Sequence, residues 1–447
     1  MAYATETPKE NFRLSMLIYD TRFRSMTIQI VVLILFGLAL SWLVNNTIDN
    51  LAAKGKTFNY NFLWVRAGYD IEQTLIPYTN DSSHGRALFV GLANTLLVAF
   101  VGCILATIVG VLVGVLRLSK NWLVARIMTV YVEIFRNIPV LLWILFIYVP
   151  LTEIGPEPKD FKVTQPMIDA LAIEAQGGTL PPDAVTTPAA SKVLFDTVAI
   201  TKRGMFMPKP LLERPLGSFS IGDFTISFSV LAALAVVAAS IWVNAQLRRK
   251  ARVVQETTGV RPTTWWKSLL ILFAPLVLLL IAMGFHLEVP AFPVTEAGVS
   301  QGFNFQGGFT ISASLLALTV ALALYTGAFI AEIVRAGIMA ISKGQSEASF
   351  ALGLRPGRTM SLVVLPQALR VIIPPLISQY LNLTKNTSLG IAVSYLDLRG
   401  TLGGITLNQT GRELECMLLM MLIYLTISLI ISVGMNIYNQ SVQLKAR

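Results

Sequence analysis

The sequence predicts an all-α membrane protein with about eight transmembrane helices. Three observations predict it: 54% of the 447 residues are hydrophobic, only 13% are charged, and the apolar residues gather in long runs. An average soluble domain carries about 25% charged residues. A helix crossing the hydrocarbon layer needs about 20 mainly apolar residues, and eight stretches satisfy that. They are 26–46, 88–116, 127–151, 224–247, 266–286, 309–336, 368–395 and 414–438.

Segment 1–25 precedes the first span and carries Glu6, Glu10 and Asp20. With no small-residue cleavage site after the run at 26–46, that span reads as an uncleaved anchor and not a signal peptide. Segment 47–87 is an outer loop. Its Lys54, Gly55, Lys56 and Thr57 resemble the end of a phosphate-binding loop, but the leading glycine is replaced by Asn50 and the segment falls on the wrong side of the membrane for ATP. Between the third and fourth spans, 152–222 is the longest polar stretch, with Gly177, Gly178, Pro181 and Pro182 marking turns. The fourth and sixth spans both open on Phe-Thr-Ile-Ser, at Phe224–Ser227 and Phe309–Ser312, which shared capping by Thr and Ser explains at least as well as duplication. In the seventh span Pro374 and Pro375, followed by Asn382, Thr384, Lys385 and Asn386, predict a broken and polar helix. Such a helix is tolerated only beside protein or a water-filled cavity.

Positive residues in short loops stay in the cytoplasm. Arg13, Arg22 and Arg24 before the first span, Arg117, Lys120 and Arg126 after the second, and Arg248, Arg249, Lys250 and Arg252 after the fourth make those three places cytoplasmic. The 287–308 connector has no Lys or Arg, while Lys445 and Arg447 end the tail 439–447, so both termini are expected inside. The net charge of +10 is thereby explained by topology, and no nucleic-acid partner is implied. His84 and His286 are isolated and read as interfacial, and Cys103 and Cys416 fall within spans. No catalytic residue, metal cluster or disulfide framework is indicated.

The connector after the sixth span, 344–366, reads GQSEASFALGLRPGRTMSLVVLP. Gly344, Gln345, Glu347, Ala348 and Ser349, then Gly353 six residues after the Glu, then Val363, Leu365 and Pro366 resemble the EAA loop of bacterial ABC importer permeases. Local physics agrees with a short docking helix. Glu347 is expected in its first turn, opposing the helix dipole; Ala348, Ser349 and Ala351 leave its backbone approachable; Gly353 ends it at positive φ; and Pro366 starts the next helix.

The resemblance extends over 88–151 and 309–438, through Asn94, Thr95, Leu96, Arg117, Leu118, Ser119, Tyr131, Glu133, Arg136, Asn137 and Pro139 in the first block. In the second it runs through Glu332, Arg335, Gly337, Gln367, Arg370, Pro374, Pro375 and the stretch Leu383–Leu389. The chain is similar to the polar amino-acid permeases, and in its longer layout to the permease subunits of general L-amino-acid importers.

That resemblance implies a type I ABC importer permease fold with a five-helix core, 88–151 and 309–438, plus an N-terminal span and a two-span insertion at 152–308. It implies four kinds of partner: a second, non-identical permease, two copies of a cytoplasmic ABC ATPase that hold ATP and Mg, a periplasmic amino-acid-binding protein, and the lipid bilayer of the inner membrane. This chain itself would bind no cofactor and make no bond. One departure stands out: Asn386 occupies a position where these permeases usually carry Asp.

Two readings of the polar seventh span stay open. Asn382, Thr384, Lys385, Asn386, Thr387 and Ser388 supply donors and acceptors for a zwitterionic amino acid, or they bond neighbouring spans and snorkel. Glu133 with Arg136 and Glu332 with Arg335 stand three residues apart on a helix face, which suits local charge compensation or, alternatively, a gate or permease interface. An ion-coupled carrier or channel would need intramembrane carboxylates, which the centres of the predicted spans almost lack, and would leave the EAA loop unexplained.

Overall fold

The computed structural model describes residues 21–53, 55, 57–177, 181, 184–221, 224–260 and 262–442. Arg13, Lys445 and Arg447, on which part of the topology argument rests, lie outside the described residues, as do Glu6, Glu10, Asp20, Lys54, Lys56, Gly178 and Pro182. The chain divides into two units, 1–63 and 64–447. The first holds helix α1, Thr21–Ala53, whose described side chains from 24 onward are almost all exposed, so that its apolar surface requires a lipid cover.

Seven described helices are long and apolar enough to cross a membrane, eight if one sharply bent pair counts as a span. In the second unit these begin with α2, His84–Leu116. The bent pair follows: α3, Trp122–Asn137, and α4, Val140–Glu153, meet at 105°. A single span over 127–151 is therefore corrected to two helices. Pro139 excludes helical backbone from the residue before it, and Ile138 is extended at φ −103° and ψ 132°.

The 152–308 insertion contains a short helix, α5 (Gln165–Ala175), and a hairpin of α6 (Phe228–Thr258) with α7 (Trp265–Ala282). It also contains strands that the polar composition concealed. These are β1 (Ala199–Thr201), β2 (Gly204–Met207), β3 (Lys209–Leu212), β4 (Ser218–Ile221), β5 (Phe224–Ser227) and β6 (Phe285–Glu288). With β7 (Phe309–Ser312), they form an antiparallel sheet β1-β2-β7 and two antiparallel pairs, β3-β6 and β4-β5. Phe206, Phe292 and Phe305 pack as their small core with Ala199 and Phe161. The two Phe-Thr-Ile-Ser segments are thus strands β5 and β7, each running straight into a helix. Only Ser312 caps by side chain, accepting from Leu315 N–H at 3.3 Å; Ser227 makes no such bond.

At the centre of the unit is α8, Ala313–Met339, whose most apolar 18-residue window is 72% buried against 6% for α7. It packs along α2, where Gly102, Ala106, Gly110 and Gly114 recur every four residues on one face. A Cβ added at Gly110 would lie 2.5 Å from Ile330 Cβ and 2.9 Å from Gly327 O, so the backbones approach only because it is absent. Leu318, Leu322, Ile330, Val98, Ala106 and Ile144 are fully buried around this contact.

Beyond α8 come α9, Lys343–Ala351, a short helix Pro356–Thr359, a π-helical turn Met360–Val364, and α10, Leu365–Asn386. The π turn ends with Leu365 N–H bonded to Met360 O, immediately before Pro366, which has no N–H to give. Pro374 and Pro375 are accommodated inside α10, contrary to the expected break there. The helix instead gives way at Thr387 to a 3-10 segment, Thr387–Val393, closed by Ser394 at φ 59°. A second π-helical stretch, Arg399–Thr406, leads to the last helix, α11, Glu413–Val442.

Candidate functional site

The 344–366 loop begins one residue earlier than its motif. Ser342 takes extended backbone as N-cap and α9 starts at Lys343, so Glu347 sits in the second turn and not the first. Its expected opposition to the helix dipole is corrected accordingly, because the field falls off within a turn. The C-terminal expectation agrees with the geometry. Gly353 has φ +76°, its N–H bonds Phe350 O at 2.9 Å, and Leu354 N–H bonds Ser349 O at 3.1 Å, the paired closure of a Schellman motif.

Ser349 is buried and donates to Gln345 O at 2.7 Å, while Gln367 Nε2 reaches Gln345 Oε1 at 3.5 Å and ties the loop to α10. Glu347, Ala348, Phe350, Ala351 and Leu352 face outward, Leu352 at 82% exposure. Space beside Gly344 and Gly353 is empty within 4 Å of where a Cβ would stand. The result is a two-turn knob carrying one carboxylate and two large apolar groups, a shape suited to a groove on another protein. Leu365 and Pro366 begin α10 behind it.

The six polar residues of the seventh span divide into two groups. Thr384 and Thr387 are buried and donate to Tyr380 O at 2.8 Å and Thr384 O at 2.9 Å, and Ser388 donates to Lys385 O at 2.8 Å. Their hydroxyl protons are used within the helix. Asn382 and Lys385, three residues apart, are exposed on its surface, and Asn386 is half-buried. Arg399 approaches the same stretch, its Nη1 donating to Ser388 O at 3.4 Å. This second cation, 14 positions beyond Lys385 in the chain, carries no local sequence signal; the 3-10 segment folds it back.

Residues 106–444 match the family of binding-protein-dependent transport system inner membrane components. The chain belongs to that family. Across an alignment of 448 positions that covers all of both chains, it is 63% identical to the glutamate/glutamine/aspartate/asparagine transport system permease protein BztB of Rhodobacter capsulatus. It is 39% identical to the general L-amino acid transport system permease protein AapQ of Rhizobium johnstonii, over 98% of this chain and 96% of that one. Among solved structures, one titled as an amino acid ABC transporter with histidines aligns with 80% of this chain and 95% of that chain, at 15% identity and TM-score 0.41.

In this inner-membrane transport component, the expected i,i+3 ion pairs are only half formed. Arg335 donates to Glu332 at 2.8 Å. Glu133 is exposed and makes no ion pair with Arg136 among the described residues; Arg136 instead approaches Glu332 at 3.9 Å and lies over the Phe329 ring. Arg117, at the end of α2, also contacts Glu332, with its side chain only 8% exposed. Three arginines from α2, α3 and α8 therefore converge on one carboxylate, about 10 Å of helix before α8 ends at Met339.

The component also has a buried anchor that sequence reasoning passed over. Asp397 is fully buried, accepting from Gly400 N–H at 2.9 Å and Tyr424 O–H at 3.2 Å. Around it the Asn94 amide donates to Gln73 O and Leu396 O, Tyr395 O–H donates to Asn94 O, and Leu398 N–H donates to Thr95 Oγ1. Asn94 and Thr95, noted as the start of the first block, thus hold the broken connection after α10. His84, expected at an interface, is buried with Nδ1 3.0 Å from Thr406 Oγ1, whereas His286 is exposed.

Proposed function

We propose that the chain is the permease subunit of an ABC importer of L-amino acids, forming half of a heterodimeric pathway with a non-identical second permease. It receives substrate from a periplasmic amino-acid-binding protein and makes no bond itself. ATP, with Mg, is hydrolysed on two copies of a cytoplasmic ATPase, each seated on one permease's coupling loop, and both termini of this chain face the cytoplasm. The observation that carries this reading is the α9 knob with its Gly353 closure, exposed at the root of the most buried helix in a binding-protein-dependent component.

The polar groups at the end of α10 and at the start of the π-helical stretch after it support a substrate class. Lys385 and Arg399 supply two cations, and Asn382 and Asn386 supply amides. That set suits an amino acid whose side chain ends in a second carboxylate or a carboxamide. The 63% identical relative is named for glutamate, glutamine, aspartate and asparagine.

The test is amino-acid uptake and ATPase activity in proteoliposomes holding the co-purified complex, with and without Glu347→Lys in this chain. Loss of binding-protein stimulation and of uptake, with all subunits still assembled in the membrane, is expected. Uptake that persists without ATP and ignores the substitution would point to an ion-coupled carrier and overturn the reading.

A further inference from the structure

The geometry points to a binding site for the phosphodiester headgroup of an anionic phospholipid between the ends of α6 and α7, the hairpin within the 152–308 segment. A cavity of about 410 Å³ opens there, lined by Arg248, Arg252, Gln255, Thr264, Trp265 and Ser268. Arg248, Arg252 and Gln255 follow one another at i, i+4 and i+7 and so share a face of α6. No acidic side chain lines the cavity, and neither arginine forms an ion pair among the described residues.

Two buried polar groups on this hairpin lack partners. Ser268, 6% exposed, lines the cavity and makes no side-chain hydrogen bond among the described residues. One turn deeper than Arg248 on the same face of α6, Asn244 is 8% exposed with an unpartnered Oδ1. The Ser268 hydroxyl can donate to a phosphate oxygen, whereas Asn244 Oδ1 is an acceptor and calls for a donor such as a hydroxyl of the headgroup.

A lipid, and not a soluble anion, is favoured by what surrounds the charge. At 31 residues α6 is about 46 Å long, beyond the roughly 30 Å of hydrocarbon, and its apolar stretch ends just before Arg248. The cavity therefore stands at headgroup level. Below it Ile241, Trp242, Leu269 and Phe273 are all more than 45% exposed, an apolar wall for acyl chains, and Trp265 and Trp266 stand at the boundary where indole rings concentrate. Basic pockets between spanning helices on the cytoplasmic side suit anionic headgroups.

The experiment is native mass spectrometry of the intact importer complex in detergent, titrated with phosphatidylglycerol, phosphatidylcholine or inorganic phosphate. Wild type should retain phosphatidylglycerol selectively, and Arg248→Ala with Arg252→Ala should weaken that retention about 30-fold, the scale of two cations beside an anionic leaflet. A milder pair, Arg248→Lys with Arg252→Lys, should retain it in part. Equal retention of phosphatidylcholine by wild type would overturn the proposal, and this comparison decides even if the double variant fails to assemble. So would unchanged binding in an assembled double variant. Displacement of the lipid by millimolar phosphate would reassign the cavity to a soluble anion.

Discussion

Replacing Gly353 with valine forces a β-branched residue into left-handed backbone at φ +76°. Nothing lies within 4 Å of the new Cβ, so the penalty comes from the backbone and not from a clash within this chain. Left-handed backbone costs an ordinary L-residue about 1–2 kcal/mol, and more when the side chain branches at Cβ. The two closing bonds, Gly353 N–H to Phe350 O and Leu354 N–H to Ser349 O, depend on that conformation.

A penalty of this size lowers the population of the closed knob about 5- to 30-fold. Asparagine tolerates the left-handed region and separates conformation from bulk. Association with the ATPase subunit, read by co-purification, and binding-protein-stimulated ATPase activity in proteoliposomes should rank glycine first, then asparagine, alanine and valine. If valine assembles and stimulates as well as glycine, the closure is irrelevant to docking. If asparagine fails as badly as valine, steric access and not φ governs the contact.

Three further outcomes are expected. Glu332→Gln leaves Arg117, Arg335 and Arg136 facing one another without their shared carboxylate, and should cost roughly 3 kcal/mol, read as a lower melting temperature of the solubilised complex; unchanged melting would remove the cluster from the fold's support. Gly110→Leu puts a branched side chain where even a Cβ meets Ile330 at 2.5 Å and should abolish accumulation of folded protein, while Gly434→Ala, with nothing within 4 Å, should be neutral in the same expression assay. Arg399→Ala should raise the KM for acidic amino acids about tenfold relative to their amides, the size of one charge-assisted hydrogen bond, and an unchanged ratio would take Arg399 out of substrate selection.

Where the strands lie was not readable from residues 152–222. Strands of three or four residues are too short to establish a period of two, and their partners are remote: β2 pairs across more than a hundred residues with β7, and β3 with β6 beyond the hairpin. The same distance hid the partners of Arg117 and Arg136. Both were legible as charges at helix ends, yet the carboxylate they share belongs to a helix some two hundred residues later. The polar seventh span was legible as unusual, but its division was not. Whether Thr384 or Lys385 is free depends on which face of α10 meets α2 and α8.

By itself the sequence determined the solvent and the form of the 344–366 loop: apolar runs of span length require a bilayer, and Gly353 six residues after Glu347 prescribes a short helix with a left-handed end. Those are local constraints, satisfied by backbone geometry and burial regardless of what lies across the molecule. Tertiary structure alone decided that three arginines meet Glu332, that Asn94 and Thr95 grip the connection around Asp397, and that Arg399 returns to the Ser388 carbonyl. Such contacts are products of helix packing, set by where α2 and α8 can approach, and no window of sequence contains both partners.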